Sequence, residues 1–534
     1  MLLLTNGNVI TGDSERPNAS SILMRQGKVA WVGEAVEVPS DCEIIDLDGK
    51  TVLPGLTDAH THIFLEAMSR VQLRTAGARS IAELLELVRD AAVDTGDGEW
   101  LIASDYNELL LTEQRHVLRH ELDRVASSLP VLLRRVGGHL AVANSAALTA
   151  AGINETVSDP FGGTFDREHG RLNGILRESA EWCVARVAPM PPAAEMCQSI
   201  LEVSREYLSY GVVAAVDAAT GFTCGFEAEW AIWEQARAEG CTPLRMGFMP
   251  NLSPQDAAAC GLFPGRVDPY WQAIGLKWFV DGIIGARTAY LSQNYSDTPS
   301  RGTLMQPAEE IRSQISEAHA LGWQVATHAI GDCAIDLVLD SLEAGQSSNA
   351  RPDPRHRIEH LGLVGHDVGR RLQALGVVVV PQYGFLPRLG ASFRRAIGET
   401  RMQLAYPGRS LIDHGITVAG SSDLPIGPMS PYVGISAAIQ RSDGAGNVFS
   451  PKERMDPADA IAIYTGGGAR AMRHEGFRGS LREGMAADLA VLSANIDQVR
   501  SNEADKIRSV LTFLDGKVVF HDGPFAPKSR VAKI

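Results

Sequence analysis

Residues 53–62 read LPGLTDAHTH, a short apolar run broken by a glycine and ending on two histidines at alternate positions. In a strand, residues i and i+2 share a face, so His60 and His62 project their imidazoles the same way. Two such nitrogens side by side suit zinc or a similar divalent metal. A pair of partly exposed histidines is the plainer reading of His-x-His, and the later runs of the chain decide between the two.

Seven more short, Val- or Ile-rich runs follow: VVAAVDA (212–218), LRMGFM (244–249), AIGLKWFV (273–280), QVATHAI (324–330), HRIEHL (356–361), VVVVPQ (377–382) and TVAGSSD (417–423). Helix-like stretches such as PAEEIRSQISEAHALG and CAIDLVLDSLEAG separate them. Eight buried strands alternating with helices predict an α/β fold, a parallel (β/α)8 TIM barrel, whose chemistry sits at the C-terminal strand ends. His328 closes QVATH, His360 closes RIEH and Asp423 closes VAGSSD, each at the strand end. One such histidine alone reads as a hydrogen-bonded core residue; four at matching ends weaken that reading. Asp423 reads either as a helix N-cap, alongside Ser421 and Ser422, or as a carboxylate that binds metal and accepts a proton. Lys277, inside the fourth run, reads either as an ammonium paired with a carboxylate such as Asp281, or as a lysine carbamylated by CO₂ that bridges two metals.

Outward from the barrel, both ends of the chain are β-rich. LLLTNGNVI, SILMRQGKVAWVG and CEIIDLDGKTVLPG open it, and DLAVLSA and SVLTFLDGKVVFHDG close it, with Asp515-Gly516 as a hairpin turn. A small sheet built from both termini accounts for this. The expected division is residues 1–56 with 471–534 as one β subdomain and 57–470 as the barrel. The interval from about 64 to 211 is too long for one crossover and reads as a large insertion with strands of its own, WLIASD and PVLLRRVG. A chain of 534 residues, 45% hydrophobic and 21% charged, matches an ordinary globular protein. Its formal net charge of -15 argues against nucleic-acid binding. The opening MLLLTNGNVITGD has no basic segment before its short apolar run, so no secretory leader is expected. No stretch approaches the roughly 20 apolar residues of a membrane span. Seven scattered cysteines without CxxC spacing fit reduced thiols in the cytoplasm.

The set His60, His62, Lys277, His328, His360 and Asp423 resembles the amidohydrolase superfamily, whose metal ligands come from strands one, four, five, six and eight. The segments LKWFVDGIIGARTAYL, THAIGDCAIDLVLD, HRIEHL, GHLAVANSAAL, GILRESA and GSLREGMAADLAVL look like the branch of YtcJ-like proteins and N-substituted formamide deformylases. The resemblance spans nearly the whole chain. It implies a composite β-sandwich from both ends, a barrel holding one or two divalent ions (zinc foremost), and hydrolysis of non-peptide C–N bonds in a small-molecule substrate. Water activated by the metal attacks, Asp423 shuttles the proton, and His328 or His360 stabilises the oxyanion. Glu178 in GILRESA is a second acid able to replace Lys277 as ligand, unless the helical periodicity of ILRESAEWCVARV makes it a surface charge. His139, Asn144, Ser145 and Arg287 are candidate substrate contacts, against turn, cap and surface roles. Trp182, Trp278, Phe279 and Tyr290 are candidate pocket walls, against core roles. Ring deamination, cyclic-amide opening and a catalytically silent binding or assembly role are the competing readings, and a homo-oligomer is compatible with all of them.

Overall fold

A computed structural model describes residues 1–34, 42–96, 98–136, 138–265, 267–365, 367–494 and 503–523. Eight parallel strands carry the middle of the chain: β1 (Leu56–Thr61), β2 (Val212–Thr220), β3 (Arg245–Pro250), β4 (Leu276–Phe279), β5 (Val325–Ala329), β6 (Arg357–His360), β7 (Val378–Val380) and β8 (Thr417–Val418). β1, β2 and β3 pair in order, as do β4 through β8. The two sheets meet at two seams. At the first, Trp271–Ala273 pairs with β3 and runs directly into β4, which pairs with β5. Gly275 lies at the switch, where a Cβ would stand 2.7 Å from the Gln324 carbonyl oxygen, too close for any side chain. At the second, the segment after β8 hydrogen-bonds to β1: Ala59 N–H donates to Gly420 O (3.2 Å), Asp423 N–H to His60 O (2.8 Å) and His62 N–H to Leu424 O (2.9 Å).

Helices follow the strands, among them Phe226–Ala238 after β2, Ala308–Ala320 after β4, Asp332–Ser348 after β5, Val368–Leu375 after β6 and Pro431–Gln440 after β8. Together with the strand order, they make a TIM-barrel-like α/β fold. Small apolar side chains fill the space between strands, with Ala214, Val216 and Ala326 in one cluster and Ala59, Val378, Val380 and Ala419 in another. Such close packing leaves a solid interior, with room for a site only at the strand ends.

The two chain ends share one sheet. Its order is Lys517–His521, Ser509–Leu514, Leu489–Leu492, Thr51–Pro54, Asn8–Ile10 and Asn18–Ala19, and Ala490 lies opposite Leu53. A second sheet holds Lys28–Gly33, Ser21–Arg25, Leu2–Thr5 and Glu43–Asp46, and apolar residues from both sheets form one cluster. Residues 35–41, 495–502 and 524–534 of the expected terminal unit lie outside the described residues. The interval after β1 builds a six-stranded sheet of its own, from Leu73–Arg74 to Arg171–Glu178, with a separate apolar cluster. One sequence reading fails here: 175–187 is not helical throughout. A strand runs to Glu178, whose φ of 51° turns the chain, and the helix Ser179–Ala185 starts behind it. Among the described residues, no helix is long and apolar enough to cross a membrane.

Candidate metal centre

His60 and His62 reach the mouth from β1, His328 from β5, His360 from β6, and Asp423 from the segment after β8. His60, His360 and Asp423 each offer a ligand atom, all within 4.8 Å of one another, and all three are buried. His62 Nε2 lies 3.0 Å and His60 Nε2 3.3 Å from Asp423 Oδ1. The His328 and His360 ring centroids are 4.4 Å apart, so the fifth residue borders the same cluster.

Each imidazole is oriented by its other nitrogen. His60 Nδ1 is 2.6 Å from Glu359 Oε2, His62 Nδ1 is 2.7 Å from Ala218 O, and His360 Nδ1 is 2.6 Å from Gln382 Oε1. These acceptors make Nδ1 the donor and leave Nε2 as the free, lone-pair-bearing nitrogen, the arrangement that such hydrogen-bond partners impose on metal-binding histidines. His328 reverses the pattern, since its Nε2 faces the Gly282 carbonyl oxygen at 3.1 Å. Behind the imidazoles, Arg357 holds Glu359 (Nε to Oε1, 2.7 Å) and donates to Ala59 O (2.7 Å). Gln382 donates to Ser421 Oγ (2.9 Å) and Val380 O (3.0 Å).

The backbone is bent to reach this geometry. His360 has φ 74° and Asp423 φ 56°, values that cost non-glycine residues about 1–3 kcal/mol each and persist where the surroundings enforce them. Burial works to raise the Asp423 pKa, but the adjacent His60 and His62 imidazoles hold it well below the carboxylate range. Burial pushes His360 down to about 3, and His328 well below the usual imidazole value. Both are therefore neutral, the form that ligates metal.

Lys277 is fully buried in β4, and burial lowers its pKa to about 8. Its Nζ has no hydrogen-bond partner among the described residues and lies 4.2 Å from the Phe279 ring centroid. The expected partner Asp281 is engaged elsewhere, accepting from the backbone N–H groups of Tyr290 (2.8 Å), Ile330 (3.0 Å) and Gly331 (2.8 Å). His60 Nε2 likewise lacks a hydrogen bond of good geometry. An orphaned imidazole nitrogen, two neutral imidazoles and an ionised carboxylate are what a cation-binding site requires, so these residues fit a divalent ion.

Other expected site residues fall elsewhere. Glu178 is buried, and both its oxygens are engaged: Oε2 with His139 Nδ1 (2.7 Å) and Oε1 with the Thr288 hydroxyl (2.7 Å). His139 stands at the mouth, its ring 6.2 Å from that of His328. Asn144 is instead a helix cap: its Oδ1 accepts from Val131 N and Ala147 N, and its Nδ2 donates to Ala126 O and Leu129 O. With every hydrogen-bonding site used, it has none left for a ligand. Ser145 is exposed and bound to Asp123, and Arg287 pairs with Asp297. Trp278 points into the core, while Trp182 and Phe279 line a cavity beside the histidines. Tyr290 packs outside that lining, its ring 5.9 Å from the Arg301 guanidinium. Glu359 and Gln382 were not anticipated. The signal for Glu359 was its place in Arg-Ile-Glu-His, a second ionisable residue two positions after a buried arginine.

Residues 43–520 match the Amidohydrolase family, and the chain belongs to it. It is a hydrolase of the metal-dependent amidohydrolase superfamily. The chain is 28% identical over 485 residues to the Putative amidohydrolase YtcJ of Bacillus subtilis (strain 168), covering 90% of this chain and 91% of that protein. It is 29% identical over 539 residues to the N-substituted formamide deformylase of Arthrobacter pascens, covering 96% and 97%. Among solved structures, an uncharacterized metal-dependent hydrolase from Pyrococcus horikoshii OT3 superposes with a TM-score of 0.75 at 27% identity, covering 94% of this chain and 99% of that one.

Proposed function

We propose that this protein cleaves a non-peptide C–N bond, of the amide or N-substituted formamide type, in a small molecule. The observation that carries the reading is the convergence of His60, His360 and Asp423, with the His60 and Lys277 nitrogens left unpartnered beside them. The 29% identity to an N-substituted formamide deformylase supports the bond type. His60, His62, His328, His360 and Asp423 hold the metal, with zinc as the leading candidate. Lys277 joins them as a carbamate where two ions are bound, its neutral amine being favoured by burial. Glu178 is the alternative ligand. When bound, a divalent cation supplies Lewis acidity, lowering the pKa of a water and polarising a carbonyl. Asp423 accepts the proton of the attacking water and returns it to the leaving nitrogen. His328 or His360 steadies the developing oxyanion, and His139, held by Glu178, orients the substrate from the inserted sheet.

The domain division at 57 and 470 belongs to the same proposal, supported by the sheet that joins both chain ends. A cytoplasmic home fits seven cysteines that are all free thiols, and self-association leaves this mechanism unchanged. The test is to strip the purified chain with chelator, reload it with zinc, and assay N-substituted formamides and acetamides. Hydrolysis should follow metal content, and Asp423→Asn should fold yet lose about 10²–10⁴ in rate. Hydrolysis indifferent to chelator, or near-normal turnover by Asp423→Asn, overturns the mechanism.

A further inference from the structure

A cavity opens beside the histidines, and three separate parts of the chain supply aromatic rings to it. Trp182 comes from the helix Ser179–Ala185, Phe222 from the turn after β2, and Phe279 from the end of β4. The Phe222 centroid lies 4.6 Å from Trp182, nearly perpendicular, and 4.6 Å from Phe279. Phe279 in turn stands 5.5 Å from His328, and His62 and His139 also line the cavity. The aromatic wall is therefore continuous with the candidate metal centre.

These rings line space rather than fill it. Core aromatics such as Trp233 and Phe248 are 0% exposed, whereas Trp182, Phe222 and Phe279 are each partly exposed. Phe279 is the one partly exposed residue of its strand. The cavity opens to solvent, and its empty space of about 560 Å³ includes that open mouth. Two acids reach the wall, but both are buried. Asp217 accepts from Phe64 N (3.3 Å) and Thr220 Oγ1 (3.0 Å), and the Cys224 thiol points at Glu229 (4.0 Å). On the other side, Lys277 already places its amine over the Phe279 ring.

Resting on the amide-hydrolase reading, we propose that this chamber receives a flat, uncharged apolar group carried by the substrate, and that Trp182 and Phe222 determine specificity for it. Rings meeting edge-on and tilted offer a planar ligand both stacked and edge-to-face contacts, which an aliphatic group of similar size cannot fully use. A cationic group would be repelled by a divalent ion held beside the cavity by His62.

The experiment uses the zinc-loaded full chain and two readouts. The first is binding of benzyl alcohol, 1-butanol and benzylammonium, followed by NMR titration. Benzyl alcohol should bind about tenfold more tightly than either other probe, the upper end of what aromatic contacts contribute. Phe222→Ala and Trp182→Ala should each abolish most of that preference, and Phe222→Leu, which keeps apolar area, should retain part of it. The second is the kcat/KM ratio for amides carrying a benzyl rather than a methyl substituent, placed in turn on the nitrogen and on the acyl side. That ratio should favour benzyl on one side and fall toward one in the alanine variants. Equal binding of the three probes by the unmodified chain, or a preference that survives both alanine replacements, overturns the proposal. Tighter binding of benzylammonium also overturns it. Should the alanine variants fail to fold, the probe ranking of the unmodified chain and of Phe222→Leu decides. If the binding preference holds but no amide is hydrolysed, the chamber stands and the amide-hydrolase reading falls.

Discussion

His360 and Glu359 are adjacent, yet both reach the cluster, which strand alternation forbids for neighbours. The φ of 74° at His360 is the reason: the chain leaves the extended region there, and the imidazole turns inward beside a carboxylate already facing in. Position at the ends of apolar runs, with alternation for His60 and His62, was enough to single out His60, His62, His328, His360 and Asp423 as strand-end candidates. It could not find Gln382, whose orienting role shows only in its contact with His360, and it left Glu359 marked only by its place in Arg-Ile-Glu-His. The capping chemistry of Asn144 was legible in the sequence and is the role the structure gives it, while Ser145 bonds to Asp123. Gln382 yields a test at this scale. Gln382→Leu keeps the volume but removes the acceptor that fixes the His360 Nδ1 proton. We expect metal affinity to fall about 10–100-fold with the fold retained, measured by competition against a chelator of known affinity. Unchanged affinity would mean that the His360 tautomer is fixed by something else, or that His360 is no ligand.

Between elements, the interactions that hold the barrel to the terminal sheet join residues far apart in sequence. Arg245 of β3 is 1% exposed and meets Asp488 through both Nε (2.8 Å) and Nη2 (3.1 Å), with Asp515 on the same guanidinium. Nothing in the sequence pairs residues separated by 243 positions, so the sharing of a sheet by both ends was legible while its attachment was not. Asp488→Ala leaves Arg245 and the equally buried Arg478 without their carboxylate. The expected loss is about 3–5 kcal/mol in chemical denaturation, the cost of an uncompensated buried charge; a loss under about 1 kcal/mol would show that Asp515 suffices. A second element-level device lies at the entry to β5. Val325 N–H donates to His356 Nδ1 (3.0 Å), His356 Nε2 faces His319 Nδ1 (2.8 Å), and His319 Nε2 faces Asn349 O (2.7 Å). That chain works only with both rings neutral, because each Nδ1 must accept. Burial, and then His319, lower the His356 pKa well below 6.5. The unfolded state therefore takes up the proton first, so the contribution is fully present above about pH 6.5 and is lost as pH falls. The stability gap between the unmodified chain and His356→Asn should narrow from pH 7.5 to pH 5. A gap independent of pH would mean that the relay titrates alike in both states.

At the scale of the whole molecule, the strand order and the place of the chemistry follow from eight apolar runs ending in polar residues. The number of sheets does not, because the seams depend on single contacts such as the approach of Gly275 to Gln324. The insertion was visible as excess length with strands, but its packing as a separate sheet and cluster is a tertiary outcome. The candidate metal residues are distributed in a way that bears on stability. His60 and His62 come from the β1 sheet, while His328, His360 and Asp423 belong to the β5–β8 side, so an ion held between them spans the second seam. That seam also carries backbone hydrogen bonds from the segment after β8, the Ser422 N–H to Asp58, Arg357 to Ala59 O, and the packing of Ala59 against Val378 and Val380. An ion that binds the folded chain and not the unfolded one stabilises it by mass action, about 2.7 kcal/mol at a free concentration one hundred times the dissociation constant. Zinc loading should therefore raise the unfolding midpoint, and the increment should fall in His60→Ala and vanish when His60 and His62 are both replaced by alanine, which removes both β1 ligands. Asp423→Asn keeps an oxygen donor at the same place, so it should retain part of the increment while losing turnover. Denaturant melts of loaded and chelated protein, with metal content measured alongside, separate the two effects. If zinc leaves the midpoint unchanged while remaining bound, the unfolded chain binds it as tightly and these residues form no site that depends on the fold.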